Sequence, residues 1–432
     1  MKIINVKTPG YILGKREELV SVEVLIEGNR IKELAEKVAE SKQSKLVIDG
    51  KGKTLLPGLV DPQVHFREPG LEYKEDIASG SRAANRGGFT TVVSMPNTKP
   101  AADHFDVVKM MSDKSAEVGL CRVYPTGALS FNLAGEKVTD FKALKEAGAV
   151  AITDDGIGVQ KDDIFLQALT LAYENDLAVL DHSEDFRLSA GGAIHKGHIS
   201  KKYKVKGIDP DSEAVHVERG CKMSLKTGAH YHVLHVSTKR SLEAVKKAKE
   251  AGARVTVEVS PHHLLLCDED IPEREDGSLN ANFKMNPPLR SLEDRLACVA
   301  ALKSGLIDAI ATDHAPHAPH EKDQPIEQAP FGIIGLESAF PLIYTYFVKT
   351  GEISLEKAVK LMSEQAADLF KLPHGRLAVG ELADLTLVDL DEKFEFSEQD
   401  IGSKSKNSPF LGRELYGRVH LTVMDGRVVY ER

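Results

Sequence analysis

The 432-residue chain has no tryptophan and four cysteines, and no apolar run reaches the roughly 18 residues that a membrane-spanning helix requires. Each scarcity excludes something. Cys121, Cys221, Cys267 and Cys298 stand far apart and form no paired spacing for a zinc knuckle or a disulfide framework, so reduced, structural thiols are expected. The net charge of -9, the pI near 6.0 and the lack of a long basic block give no general attraction to a phosphate backbone. With no Trp and no basic, aromatic groove, nucleic acid and sugar are not expected partners. The opening MKIINVKTPGYILGKREE lacks the apolar stretch and small-residue cleavage site of a secretory leader, which points to a soluble, cytoplasmic protein without a membrane partner. No internal repeat, low-complexity tract or flexible linker interrupts the chain.

What is present is ample core material, with 42% hydrophobic residues, in a length that allows one large domain with an appendage or two to three ordinary ones. Both ends are β-rich. Val20, Val22, Val24 and Ile26 alternate before a Gly28-Asn29 turn, and ADLTLVDL (383–390), Val419, Leu421 and Val423 lead to a second turn at Asp425-Gly426. Neither set can bury its face alone, so the two ends are expected to join in one small sheet or sandwich. Between them, short apolar runs alternate with charged, helix-periodic stretches such as TKRSLEAVKKAKEAGA (238–253). The runs at 55–66, 89–95, 121–128, 149–153, 177–182, 230–236, 254–260 and 307–312 make eight strands. The expected fold is therefore α/β, a (β/α)8 TIM-like barrel over 54–369 with a small β-sandwich domain formed by 1–53 and 370–432. One long polar loop, 314–335, has the length of a functional lid.

Chemistry is concentrated from TLLPGLVDPQVHFREPG (54–70) onward, where a strand would place Asp61, Gln63, His65 and Arg67 on one face. The C-terminal ends of the apolar runs carry His65, Asp155, His182, His235 and Asp313, each from a different strand. Barrels of this kind build their sites at that rim, and three imidazoles with two carboxylates suit a borderline divalent cation, zinc best of all. Singly, each has an ordinary alternative: Asp155 as a cap, His235 as a buried hydrogen-bonded histidine, Asp313 as a turn residue. Arg67, Asn97, Asn286 and His317 suit an anionic ligand, although Arg67 has Glu68 and Glu72 nearby and both asparagines adjoin prolines. His230, His232, His262 and His263 read as structural, or as supports standing behind the ligands.

The motifs HFREPG (65–70), MPNT (95–98), TDDG (153–156), HVST (235–238), KMNPPLR (284–290), ATDHAPH (311–317) and APFGIIG (329–335) together resemble bacterial class I dihydroorotase, of the amidohydrolase superfamily, across nearly the whole chain. The resemblance implies reversible cyclisation of N-carbamoyl-L-aspartate to L-dihydroorotate in pyrimidine synthesis, with zinc ions bridged by a carboxylate. By position Asp155 would be the bridge, His65 and Asp313 would belong to one metal, and His182 and His235 to the other. Asp313 would move the proton. Arg67, Asn97 and His317 would clamp the substrate carboxylate beside His65, while Asn286 and the backbone at Phe331 and Gly332 would hold the ring. The resemblance leaves a homodimer and an association with aspartate transcarbamoylase open.

The chain departs from that family at Gln63, where a histidine is usual. A neutral amide oxygen is a weaker zinc ligand than imidazole, so one zinc or two, or little activity, are the readings left by this position. Asp181, beside His182, is a second departure: it would either accept from an imidazole or face the other side of its strand. Two rival functions stand beside dihydroorotase. A hydantoinase or allantoinase typically bridges its metals with a carboxylated lysine, and allantoin has no carboxylate for Arg67. A non-catalytic partner of aspartate transcarbamoylase is favoured by Gln63 alone.

Overall fold

A computed structural model of the chain describes residues 1–38 and 46–432. Among these, eight parallel strands form the barrel: β1 (Leu59–Val64), β2 (Phe89–Ser94), β3 (Arg122–Pro125, continued by Gly127–Ala128), β4 (Ala151–Thr153), β5 (Ala178–Asp181), β6 (Tyr231–Val233), β7 (Val255–Val259) and β8 (Ala309–Ile310). Successive strands pair in parallel from β1 through β8. The ring closes just beyond β8, where Val64 bridges His314 and the His65 N–H donates to the His314 carbonyl at 2.8 Å. Each strand falls within one of the eight runs expected from the sequence. A short parallel pair, Ile194–His195 with Gly207–Ile208, follows β5 and was not expected.

The run expected as one barrel strand over 55–66 divides in two. Thr54–Pro57 pairs antiparallel with Leu385–Val388 in the terminal sheet, and only Leu59–Val64 enters the barrel. The change of sheet falls on Gly58, where a Cβ would lie 2.3 Å from the Thr90 hydroxyl oxygen, so only glycine lets the backbone approach β2 this closely. The terminal unit is one continuous mixed sheet of eight strands, with Leu385–Glu395, Glu414–Met424 and Arg427–Glu431 on one side of Thr54–Pro57 and the N-terminal strands on the other. Val22, Val24, Ile31, Leu385, Leu421 and Val423 form its buried face, so neither end of the chain is left half-covered.

Helices return the chain between strands. The periodic stretch at 238–253 forms a helix over Lys239–Glu250, whose first turn is closed by the Thr238 hydroxyl accepting from Ser241 N at 3.2 Å. Its Leu242 and Val245 are buried against the barrel while Lys239, Lys246 and Lys247 face water. The loop at 314–335 differs from the solvated loop its composition suggests. It contains a short helix, Pro319–Lys322, and buries Ala315, Ala318, Ile326, Ala329, Ile333 and Ile334. Among the described residues no helix is long and apolar enough to cross a membrane.

Candidate active site

Strand β1 supplies a column of polar side chains in the order the alternation predicts. Asp61, fully buried at its base, accepts from Gln63 N at 3.1 Å and from Thr312 N at 3.1 Å, and burial lifts its carboxyl to about 7. Gln63 lies one layer above. His65 lies beyond the end of the strand at Val64, and Arg67 is carried into the site by a left-handed backbone with φ 63° rather than by strand alternation. His235 and Asp313 also have positive φ, 32° and 50°. Three non-glycine residues in that region at one rim mark a backbone held against its local preference.

At the centre stands Asp155. Its Oδ1 lies 3.5 Å from His182 Nδ1 and 3.7 Å from His235 Nε2, and these two ring nitrogens are 3.1 Å apart. Its Oδ2 accepts from Gln63 Nε2 at 3.2 Å and lies 3.3 Å from His65 Nε2, which in turn is 3.0 Å from Asp313 Oδ1. Burial alone would raise the Asp155 carboxyl, but the imidazoles of His182, His235 and His65 gathered around it outweigh it, so Asp155 is held well below the usual carboxylate range. The other ring nitrogens are oriented from outside. His65 Nδ1 donates to Asn97 Oδ1 at 2.9 Å, and His182 Nε2 donates to Glu184 Oε2 at 3.1 Å. Asn286 Nδ2 donates to the same Glu184 oxygen at 2.7 Å. With Nε2 so engaged, the lone pair of His182 Nδ1 points at Asp155 and His235.

The donor set fits a metal ion. Ligands at the usual zinc distances of about 2.0–2.1 Å sit at tetrahedral corners roughly 3.3 Å apart. The observed separations of 3.1, 3.5 and 3.7 Å among Asp155, His182 and His235 bracket that edge. Among the described residues of the site, these three are the set whose donor atoms all lie within 4.8 Å of one another.

The opposite wall is cationic. Arg67 is buried, with Nε donating to the Pro316 carbonyl at 3.3 Å, and among the described residues it has no carboxylate ion-pair partner. Burial lowers the guanidinium to about 10, which leaves it charged at neutral pH. His317 is kept neutral, its basicity depressed by burial and then by Arg67, Lys74 and Lys322 around it. Its Nδ1 accepts from Lys74 Nζ at 3.3 Å and its Nε2 donates to the Phe331 carbonyl at 2.7 Å, which settles the tautomer. Arg67 Nη2, 3.4 Å from that same Nε2, therefore meets another donor and makes a contact rather than a hydrogen bond. Glu68 and Glu72, the neighbours that might have paired with Arg67, instead accept from Ile77 N and Gly70 N.

One cavity of about 330 Å³ is lined by His65, Arg67, Asn97, Asp155, His182, His235, Asn286, Asp313, His317, Phe331 and Gly332. The structure thus brings together every metal-ligand and substrate-binding candidate of the sequence, with Gln63 directly beneath the lining. Asp181 turns away from it, accepting from Ser183 Oγ at 2.6 Å and the Tyr231 hydroxyl at 2.9 Å. His232 pairs with buried Glu258 at 3.0 Å, in keeping with a structural role. Sequence reasoning missed four contributors. Glu184 was within reach, two residues after His182. Lys74, Lys322 and Asn407 carry no local signal, because they act across the fold: Asn407, from the C-terminal segment, donates to the Ala315 and Gly332 carbonyls at 3.2 and 3.1 Å.

A family model described as Dihydro-orotase-like matches residues 52–241, and one described as Amidohydrolase family matches 215–430. Curated dihydroorotases from Brevibacillus brevis and Bacillus subtilis are 47% and 44% identical, covering 98% of this chain and 98% and 97% of theirs. The chain belongs to the dihydroorotase family. It is accordingly a cyclic amide hydrolase of the amidohydrolase type, and its barrel-rim cluster is compatible with a metal site. Solved structures show the same fold: a dihydropyrimidinase from Brevibacillus agri has a TM-score of 0.85 at 22% identity, covering 100% of this chain and 95% of that one. A D-hydantoinase from Thermus sp. has a TM-score of 0.80 at 26% identity, covering 99% and 94%. The dihydroorotase family is thus set by sequence along the full length, and the hydantoinases share its architecture.

Proposed function

We propose that the chain catalyses the reversible cyclisation of N-carbamoyl-L-aspartate to L-dihydroorotate with zinc, as its dihydroorotase relatives are named for. The observation that carries this reading is Arg67: a buried guanidinium, without a carboxylate ion-pair partner among the described residues, opens on the same small cavity as the Asp155, His182 and His235 donor set. A buried cation of this kind is costly unless a ligand supplies the opposite charge, and a planar guanidinium matches a carboxylate. Asn97 and neutral His317 flank it on the cavity wall. A zinc ion held by the Asp155, His182 and His235 side supplies Lewis-acid polarisation of a carbonyl and lowers the pKa of bound water toward about 7.

In the hydrolytic direction water adds to the ring carbonyl, the carbon–nitrogen bond breaks, and the ring nitrogen leaves with a proton. We assign Asp313 to carry that proton, from the attacking water to the departing nitrogen, with the reverse transfer in cyclisation. Its Oδ1 lies 3.0 Å from His65 Nε2, and its side chain lines the cavity. Asn286 and the backbone at Phe331 and Gly332 form the wall on which the ring rests. Gly332, at φ 135°, has room for no side chain, since a Cβ would lie 2.7 Å from that of Ala315.

The test is turnover of dihydroorotate and of N-carbamoyl-aspartate by the zinc-supplemented protein, beside hydantoin and allantoin. The reading expects turnover of the two carboxylate-bearing substrates and little of the neutral rings. Preference for hydantoin would overturn it in favour of the hydantoinase alternative, and no turnover with zinc bound would favour the non-catalytic one. Finer parts of the same reading, a cytoplasmic location and assembly as a homodimer or with aspartate transcarbamoylase, are tested by fractionation and by sedimentation with and without the transcarbamoylase.

A further inference from the structure

We propose that Asn407 is a positioning residue for the substrate carboxylate. The terminal unit reaches the cavity through a buried strap, Ser403, Ser405 and Asn407, which holds the loop bearing Arg67 and the loop bearing His317 and Gly332 in one relation. The inference rests on the carboxylate-clamp reading above and deepens it.

The strap lies in the connection between the terminal strands Leu385–Glu395 and Glu414–Met424. Its sequence, SKSKN (403–407), alternates in burial: Ser403, Ser405 and Asn407 are buried, Lys404 is exposed and Lys406 half-buried. An extended segment turns every second side chain to one face, so three short polar groups point inward. Such groups are costly inside a protein unless they are hydrogen-bonded, and each finds its partner on a loop at the barrel rim. The Ser403 hydroxyl donates to buried Glu75, as does Lys404 N at 3.3 Å, and the Ser405 hydroxyl donates to the Lys74 carbonyl at 2.8 Å. From Lys74 the backbone leads to the guanidinium: Lys74 N donates to the Leu71 carbonyl and Leu71 N to the Arg67 carbonyl, both at 3.0 Å.

Asn407 serves the opposite loop and uses its whole side chain. Nδ2 donates to the Ala315 and Gly332 carbonyls at 3.2 and 3.1 Å, and Oδ1 accepts from His317 N at 3.2 Å. Its own carbonyl accepts from Ile334 N at 3.1 Å. Ala315, His317 and Gly332 all line the cavity, so one amide joins the two arms of the 314–335 loop where they border the ligand. Two N–H donors and an acceptor on so short a side chain are what asparagine offers; aspartate has the same shape but would set a carboxylate against two carbonyls. Between the loops, Lys74 Nζ reaches His317 Nδ1 at 3.3 Å and Glu321 at 2.9 Å, which closes the circuit from Arg67 to His317. Among the described residues the strap makes no hydrogen bond to Asp155, His182, His235 or Asp313. Its loss therefore acts on the grip on the carboxylate rather than on bond breaking.

The kinetics of dihydroorotate hydrolysis are compared for the native protein and Asn407→Asp, with amide hydrogen exchange read peptide by peptide on both. The expected result is a KM raised about tenfold with kcat changed by less than about twofold, and faster exchange confined to 314–335. An unchanged KM, or a kcat that falls as far as KM rises, would overturn the assignment. Ser405→Ala, which removes one hydroxyl and no charge, covers the case in which Asn407→Asp does not fold. It is expected to raise KM about threefold with kcat retained, and no rise in KM counts against the strap. If the native protein shows no dihydroorotate turnover, the proposed activity falls and exchange alone decides. Faster exchange in 314–335 for Asn407→Asp then leaves the strap standing, and an unchanged pattern removes it. Native turnover with an unaltered KM in both variants keeps the activity and removes the strap.

Discussion

Arg67 shows how much one side chain's worth depends on what is not beside it. Its guanidinium is buried and charged, and among the described residues no carboxylate is within ion-pair distance, so its favourable partner arrives with the substrate. Arg67→Met keeps the stem and removes the fork. Loss of a charge-assisted contact of this kind is expected to cost about 2 to 4 kcal/mol in transition-state binding, read as a fall in kcat/KM, with zinc content unchanged. Normal turnover would remove Arg67 from the clamp. Glu184→Gln acts on the metal instead. Burial would raise the Glu184 carboxyl, but His182 and Asn286 bring it down to about 2, so at neutral pH it is an ionised acceptor that holds the ring in place. A neutral amide there is expected to weaken zinc binding about 10- to 100-fold, checked by competition with a chelator. Asp313→Asn is expected to abolish most turnover while zinc stays bound, and a variant with full activity would displace Asp313 from proton transfer. Most of these groups were legible in the sequence because each ligand ends its own apolar run. Arg67 was chosen for a partly mistaken reason: alternation puts it on the face of His65, but the chain has left the strand by then and a left-handed turn brings it back.

At the scale of the element, the stretch at 314–335 behaves as a wall pinned from within. Lys322 Nζ donates to three carbonyls, Lys284 at 3.2 Å, Pro330 at 3.0 Å and Gly332 at 2.9 Å, and Lys284 Nζ donates to those of Glu327 and Ala329. The composition, rich in proline and charge, suggested a lid; the lysines that hold it were invisible as such, because an exposed and a buried lysine look alike in sequence. Lys322→Met keeps the volume and removes the three bonds. It is expected to loosen the Phe331–Gly332 wall and raise KM more than it lowers kcat. The same lysine gives a dependence on pH. Burial, then the charge of Lys284, lowers it to about 7, whereas in the unfolded chain it keeps its proton to the ordinary lysine value of 10.5. Between these values the unfolded state binds more protons, so the stability contributed by this site rises with pH across that window and is flat below it. Denaturant midpoints at pH 7 and pH 9.5 should show the native chain gaining relative to Lys322→Met. An equal change in both would remove Lys322 as the cause.

For the whole molecule, the question is how the barrel and the terminal sheet stay in register, because the site draws on both. The eight strand runs and the β-rich ends were readable from periodicity, but their junction was not, since Gly58 interrupts what reads as one continuous apolar run. The structure joins the two units there and again on the other side of β2. Arg122, opening β3, forms an ion pair with Asp384 Oδ2 at 2.6 Å and another with Asp425 Oδ1 at 2.6 Å, both from the terminal sheet. The Arg122 and Asp384 side chains are 17% and 3% exposed, so screening by water is weak and removal of the cation leaves a buried carboxylate without a counter-charge. Arg122→Met is expected to destabilise the protein by about 2 to 3 kcal/mol, below the usual cost for a fully buried pair because Asp425 can still turn to solvent. The double variant Arg122→Met with Asp384→Asn should recover part of that loss, since no unpaired charge is then left inside. Additive losses in the double variant would mean that the pair is not coupled, and that shape and backbone hydrogen bonds alone hold the two units together.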